Sequence, residues 1–350
     1  MMKKLHPKKL MMLLAATLIA LQGFSQINYK AANASNFAGT WTDLGTGGTA
    51  VSMSNYDDAN SSSQSIGFTF KFNGNDYTDF VINTNGFIML GTNAPSAANI
   101  FYSGAQTTTG GALNATGADS GILSVFNHDL ESNANGAEIR VETSGTAGSR
   151  VCTIQWKNFK DKTTTPVVQF NSVSFQIKLY EGSNVIEFIY GPFVSSGNAS
   201  NFKTVGVGLK TDASVTSVTK PSVSAWSIAV IQDGNYTGNS HNVRNTVLPD
   251  SGRTYRFVPE YDNDIAITNI YSLGKLPVPF AVPHALKARI QNVGKNDMSG
   301  FTVYLQTTGT NTILDSIVYS GTLAVGSADV LYFGNYSPSA LGIDSINVFI

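Results

Sequence analysis

The sequence predicts an all-β protein, with a jelly-roll-like β-sandwich over residues 26–259 and a smaller β-sandwich over residues 260–350, behind an export leader over residues 1–25. Three observations carry this expectation. Large side chains alternate with small or polar ones along one short segment after another. Helical periodicity is missing after the leader, and Gly, Asn, Ser and Thr fill the gaps between the segments.

The leader comes first. Lys3, Lys4, Lys8 and Lys9 precede the apolar run Leu10–Leu21, and Gly23-Phe24-Ser25 offers a small residue before Gln26, where a signal peptidase could cut. About 12 apolar residues fall short of the roughly 20 needed to span a ~30 Å hydrocarbon core. The segment is therefore expected to be removed rather than kept as an anchor. No later stretch is as apolar over a spanning length, so the mature chain is expected to be secreted or held at the outer cell surface, without membrane insertion.

Cleavage removes four lysines and no acid, taking the formal charge from −1 to −5. A mildly acidic chain without a basic run is a poor partner for nucleic acid or anionic lipid, both of which reward clustered Lys and Arg. Charged residues make up only 13% of the chain, about half the usual share. Thr-covered strand surfaces with Gly and Asn turns fit extracellular β-structure. Cys152 is the single cysteine, so an intrachain disulfide is excluded. It lies in the apolar segment Val151-Cys152-Thr153-Ile154 and reads as a small core residue.

Ile66, Phe68, Phe70 and Phe72 alternate with Gly67, Thr69 and Lys71, which places four large side chains on one face. Val173, Phe175, Ile177 and Leu179 do the same, and Ile186, Phe188 and Tyr190 resume after the turn Glu181-Gly182-Ser183-Asn184, giving a hairpin. Further strands are expected at 79–83, 86–91, 122–127, 137–143, 151–157, 203–209, 225–231 and 253–258. The polar stretches 92–120 and 233–250 read as surface loops, as plain connections before a binding rim. Asn85-Gly86 favours a tight turn with positive φ that launches Phe87 into a new strand.

A boundary falls at Pro259-Glu260-Tyr261-Asp262-Asn263. Beyond it Ile265-Ala266-Ile267 opens a strand; Leu286, Ala288 and Ile290 alternate, as do Phe301, Val303 and Leu305. Ile346, Val348 and Ile350 alternate up to the last residue. A chain that stops inside a strand leaves an unfinished edge, so the second sandwich is expected to be truncated and the sequence to be a fragment of a longer protein.

Two segments resemble known families. Ile66–Gly74 followed by Phe80–Ile88, together with the later hairpin Phe175–Glu181 and Ile186–Gly191, look like a secreted bacterial β-sandwich module and are similar to the extracellular domain of nidogen-like adhesion proteins, across roughly residues 40–258. Where related modules carry Trp ahead of an Asp, this chain has Phe126-Asn127-His128-Asp129, so no family site is carried over to that position. From Asp264 onward, Asp264–Ile267, Lys287–Gly294 and Phe301–Leu305 resemble the cell-adhesion-related bacterial domain, CARDB. That resemblance implies a seven-stranded immunoglobulin-like (Ig-like) sandwich serving as a spacer or adhesion repeat. The leader ending in Gly-Phe-Ser-Gln and this pairing of modules are similar to proteins exported by type IX secretion.

After cleavage only His128, His241 and His284 remain, far apart, with no His-x-x-x-His, no Cys pair and no Gly-x-Ser-x-Gly. No catalytic residue is assigned and the chain is not expected to be an enzyme. His128-Asp129-Leu130-Glu131 is the densest polar cluster beside a strand; it reads as a strand end entering solvent before it reads as a cation site or half of an acid–base pair. Asp57-Asp58 and the pair Asp262 and Asp264 are weak oxygen donors for Ca²⁺, without an Asp-x-Asp-x-Asp-Gly loop, and no cofactor is expected. Trp41 and Trp226 could stack on sugar rings, though core is the first reading for both; Trp156, among Val151, Ile154 and Phe159, reads as core. The expected function is adhesion, the binding of an extracellular polysaccharide or protein through sandwich loops. The alternatives are the non-catalytic front of a secreted peptidase or glycosidase, or a carbohydrate-binding module.

Overall fold

The computed structural model describes residues 27–96, 119–162, 167–211, 214–234, 241–274 and 283–350. The leader, most of the 92–120 stretch and the middle of the 233–250 loop lie outside the described residues. The chain divides into two compact units, Met1–Pro259 and Glu260–Ile350.

The first unit is a sandwich of two antiparallel sheets over one core. One sheet runs in the order Ala34–Ala38, Arg253–Phe257, Ile186–Ser195, Phe170–Tyr180, Val151–Asp161, Glu138–Ser144 and Thr49–Ala50, with Leu130–Ser132 also paired to Val151–Asp161. The other runs Val230–Asp233, Val215–Thr219, Lys203–Lys210, Ile122–Asn127, Phe87–Leu90, Asn75–Asn83 and Gln64–Phe72, with His241–Val243 beside Lys203–Lys210. Gln64–Phe72 shows why alternation makes a strand here. Ile66, Phe68, Phe70 and Phe72 are buried while Ser65, Gly67, Thr69 and Lys71 face outward, as a period of two requires. Each inner face contributes aromatic rings to the same core, among them Phe70, Phe126, Trp156, Phe175, Tyr190 and Tyr255.

Some inner strands depart from alternation, Val215–Thr219 among them. Ile122–Asn127 and Lys203–Lys210 are buried at every position, so both faces are covered. The hairpin Phe170–Tyr180 with Ile186–Ser195 forms as the sequence predicts, in register Ile177 to Phe188 and Leu179 to Ile186. Its turn is tied down by Arg150, whose guanidinium grips both Glu181 carboxylate oxygens at 2.6 and 2.8 Å. Cys152 is buried, and burial pushes its thiol up to about 12, so it is an inert core residue.

The expected strand at 225–231 is a correction. Trp226–Ile228 is a single 3-10 turn and only Val230–Asp233 is strand. Asn36 explains the interruption: its Nδ2 donates to the carbonyls of Trp226, Ser227 and Ala229, which takes those groups out of any sheet ladder. The short strands Ala34–Ala38, Thr49–Ala50, Leu130–Ser132, Val215–Thr219 and His241–Val243 were not legible as apolar alternation.

The second unit has two three-stranded sheets among the described residues. Ile265–Tyr271, His284–Asn292 and Ala328–Tyr336 form one, Leu314–Tyr319, Phe301–Gly309 and Asp344–Phe349 the other. Leu286, Ala288, Ile290, Val303, Leu305, Leu331 and Phe333 make a core of its own. The Asn-x-Gly signal is a buried fastener. Asn292 Nδ2 donates to the Asn296 and Leu323 carbonyls, and its Oδ1 accepts the Gly294 N–H. A Cβ on Gly294 would come within 2.6 Å of the Asp264 nitrogen, so the backbone approach there requires glycine.

The turn that positions the rest of the first unit is Asn83-Thr84-Asn85-Gly86. Strands Asn75–Asn83 and Phe87–Leu90 pair with Asn83 opposite Phe87, leaving a three-residue loop closed by a residue with positive φ. Gly86 supplies it at φ 81°, and a Cβ there would also meet Phe126 and Phe175 at 3.0–3.2 Å. Gly86→Ala is expected to cost about 1–3 kcal/mol through left-handed strain and crowding together, read as a lowered urea midpoint with an unchanged m-value.

Candidate functional site

The chain changes sheets at His128-Asp129, leaving Ile122–Asn127 in one and entering Leu130–Ser132 in the other. That is why a polar cluster sits directly after an apolar strand. The crossing is held by Asn85, buried with Asn83 and Thr84. The Asn85 carbonyl accepts the His128 N–H at 3.2 Å, and its side-chain Oδ1 accepts the Leu130 N–H at 2.8 Å. Its Nδ2 donates to Asp58 Oδ1 at 2.8 Å. Thr84 does the same for the neighbouring loop: its hydroxyl donates to the Asp57 carbonyl and accepts the Ala59 N–H. One buried hairpin turn thus docks the 57–60 loop beside the 128–130 crossing.

The result is a gathering of Asp57, Asp58 and Asp129, whose carboxylate oxygens lie within 4.8 Å of one another. Asp58 is exposed and the other two are half-buried. Lys162 caps one side, with its Nζ 2.5 Å from Asp57 Oδ2. Asp57 Oδ1 and Asp129 Oδ1 are shielded from solvent and accept no hydrogen bond among the described residues. Burial first, then the charges of Asp58, Asp57 and Glu131, lift Asp129 to about 6 against the pull of Lys162. Such a cluster can share a proton or offer oxygens to a hard cation.

The other candidates separate by burial and pairing. His128 is not a solvent-facing ligand. It is 2% exposed, its Nδ1 is 3.1 Å from the Thr204 carbonyl, and burial pushes it down to about 4, so the imidazole is neutral. Glu131 is committed to Lys160 at 3.0 Å, across a strand pair that puts the two in register. Trp226 is 1% exposed, donates from Nε1 to the Val247 carbonyl and packs edge-on against Tyr190 and His241, each at 4.7 Å. It presents no face to a sugar. Trp41 is half-buried, and its ring occupies the space that a Cβ on Gly191 would fill, 2.6 Å away. Trp156 is core, with Nε1 donating to the Asn83 carbonyl at 3.0 Å.

Asp262 and Asp264 do not gather into a ligand set of three among the described residues. They act through the backbone: the Asp262 carbonyl accepts the Lys295 and Asn296 N–H groups and the Asp264 carbonyl those of Val293 and Gly294. Sequence reasoning placed Asp57-Asp58 and Asp129 separately and missed both Lys162 and the clamp. Asn85-Gly86 was the one available signal, and it reads locally as a turn.

The first unit matches the model of the family described as NIDO related, over residues 28–259. No curated protein and no solved structure matches the chain. Among the described residues no helix is long and apolar enough to cross a membrane.

Two outcomes test these assignments. Asp129 holds its proton more tightly folded, at about 6, than unfolded, near 3.8, so its contribution to stability falls as pH rises through that window. His128 runs the other way: about 4 folded against 6.5 unfolded makes stability rise with pH between those values. Asp129→Asn is expected to unmask the His128 slope, widening the gap between urea midpoints at about pH 4.5 and about pH 6.5; an unchanged gap would contradict the lifted carboxyl. Trp226→Ala is expected to lose about 3–5 kcal/mol of stability as a core truncation, measured by chemical denaturation.

Proposed function

The chain belongs to the NIDO related family across its first unit, and on that footing we propose that it is a non-catalytic adhesion protein, secreted or held at the outer cell surface. It binds an extracellular polysaccharide or protein through the loops of its larger sandwich. The observation that carries this reading is the rim of Asp57, Asp58 and Asp129, docked by a buried turn at the sheet crossing. Loops anchored this way present charge with little ordering cost on binding. Their sign selects a partner that carries positive charge, by electrostatic complementarity.

The non-catalytic part of the reading is supported by where the reactive side chains lie. His128, His241 and Cys152 are all buried, and burial holds both imidazoles neutral and the thiol protonated. In the same reading Glu260–Ile350, with its own two-sheet core, serves as a CARDB-like, Ig-like spacer, and export proceeds by an N-terminal signal and the type IX route.

The test is binding of the full chain to immobilised extracellular polysaccharides and matrix proteins, repeated with Asp58→Asn and Asp129→Asn. Binding is expected to weaken by roughly tenfold in the double variant and to fall with added salt, with the circular dichroism spectrum unchanged. Binding that is indifferent to both changes, or no binding to any probe, overturns the proposal.

A further inference from the structure

A second polar group near the crossing takes no part in the rim. Asp161 ends the strand Val151–Asp161 of one sheet and Lys203 begins Lys203–Lys210 of the other. Lys203 Nζ touches Asp161 Oδ2, and the two side chains are 0% and 1% exposed. Isolated ion pairs at such depth give back little stability, because desolvation offsets their attraction.

The surroundings equip this pair for chemistry. Asp161 Oδ1 accepts the Phe170 N–H at 2.7 Å and the Gln169 N–H at 3.1 Å, and the Gln169 N–H also lies 2.8 Å from Oδ2. Burial pulls Lys203 below its ordinary range, against the attraction of Asp161. His128 is buried beside them: its Nδ1 lies 3.1 Å from the carbonyl of Thr204, the residue after Lys203, and the charges of Asp161 and Lys203 act on its titration in opposite directions. Amine, carboxyl and backbone N–H donors therefore meet in one dry place between the sheets, with a buried imidazole close by.

We infer that Lys203 and Asp161 join after folding in an intramolecular isopeptide bond that straps the two sheets of the first unit together. In the low dielectric of the core a proton passes from Nζ to Oδ2, leaving a neutral amine and a neutral acid. The nitrogen lone pair attacks Cγ, and the carbonyl electron pair moves to Oδ1, where the Phe170 and Gln169 N–H groups stabilise it. The pair returns as the Cγ–Oδ2 bond breaks, and His128 relays a second proton from nitrogen to Oδ2, which leaves as water. One ammonium and one carboxylate become one amide and one water, and no oxidant or other reactant is needed. Fixed contact replaces a bimolecular encounter. The strap would constrain the unfolded chain as a disulfide does, in a protein whose one cysteine is buried and free.

Peptide mapping of the purified full chain by mass spectrometry decides the matter. The Asp161 and Lys203 peptides are expected as one linked species, lighter than their sum by one water, with Lys203 closed to trypsin and to amine reagents even in denaturant. Lys203→Met and Asp161→Ala are expected to release the separate peptides, and His128→Ala to slow linkage. Recovery of both wild-type peptides unlinked at full mass, with Lys203 reactive once unfolded, would show an ion pair only and end the proposal. Because the wild-type map gives that answer, the test stands even where a variant fails to fold.

Discussion

Inside the first unit the buried carbonyl of Asn83, in the turn Asn83-Thr84-Asn85-Gly86, accepts the indole N–H of the buried Trp156, and the placing of the acidic rim depends on that turn. The hydrogen bond joins a core ring to the turn that docks the rim. Asn83, Thr84 and Asn85 are buried polar residues, and such groups are tolerated only when their hydrogen bonds are made. Here the partners are the backbone of the 57–60 loop and of the sheet crossing, with the side chains of Asp58 and Asn60. Satisfying the turn and placing the carboxylates are the same event.

The same constraint recurs on a smaller scale in the second unit, where Asn292 is buried and spends its amide on two carbonyls and its oxygen on Gly294. In both units an asparagine fastens loops that no regular ladder could hold, and a nearby glycine lets the backbone come close enough. Asn-x-Gly and Asn-Gly are therefore architectural here, and binding chemistry falls on the residues they position.

The crossing at His128-Asp129 places opposite electrostatic responses side by side. A buried imidazole resists gaining charge and a crowded, half-buried carboxyl resists losing its proton. Beneath them the Lys203–Asp161 contact joins the sheets. Rim and strap share the crossing because it is the point where polar backbone must pass between two apolar layers.

Much of the fold was legible without coordinates. Alternation in Ile66–Phe72, Val173–Leu179, Ile186–Tyr190 and Leu286–Ile290 specified strands, and in Ile66–Phe72 and Leu286–Ile290 the buried face as well, because a period of two leaves no other way to cover those side chains; Val173–Ile177 and Ile186–Tyr190 are buried on both faces. Cys152 and Trp156 read correctly as core for the same reason. Trp226 also read as core before sugar-binding and is buried, but its partners were not legible: its local segment is irregular, and distant Asn36, Tyr190 and Val247 hold it. Asp57, Asp129, Lys162 and the Asp161–Lys203 pair carry no shared sequence signal, since each reaches its partners across a loop or a sheet. Patterning along the chain determined the long strands and, where one face stays wet, which face would be dry. Which charges meet was decided only by tertiary structure, because sheet order and the crossing bring together residues that sequence distance keeps apart.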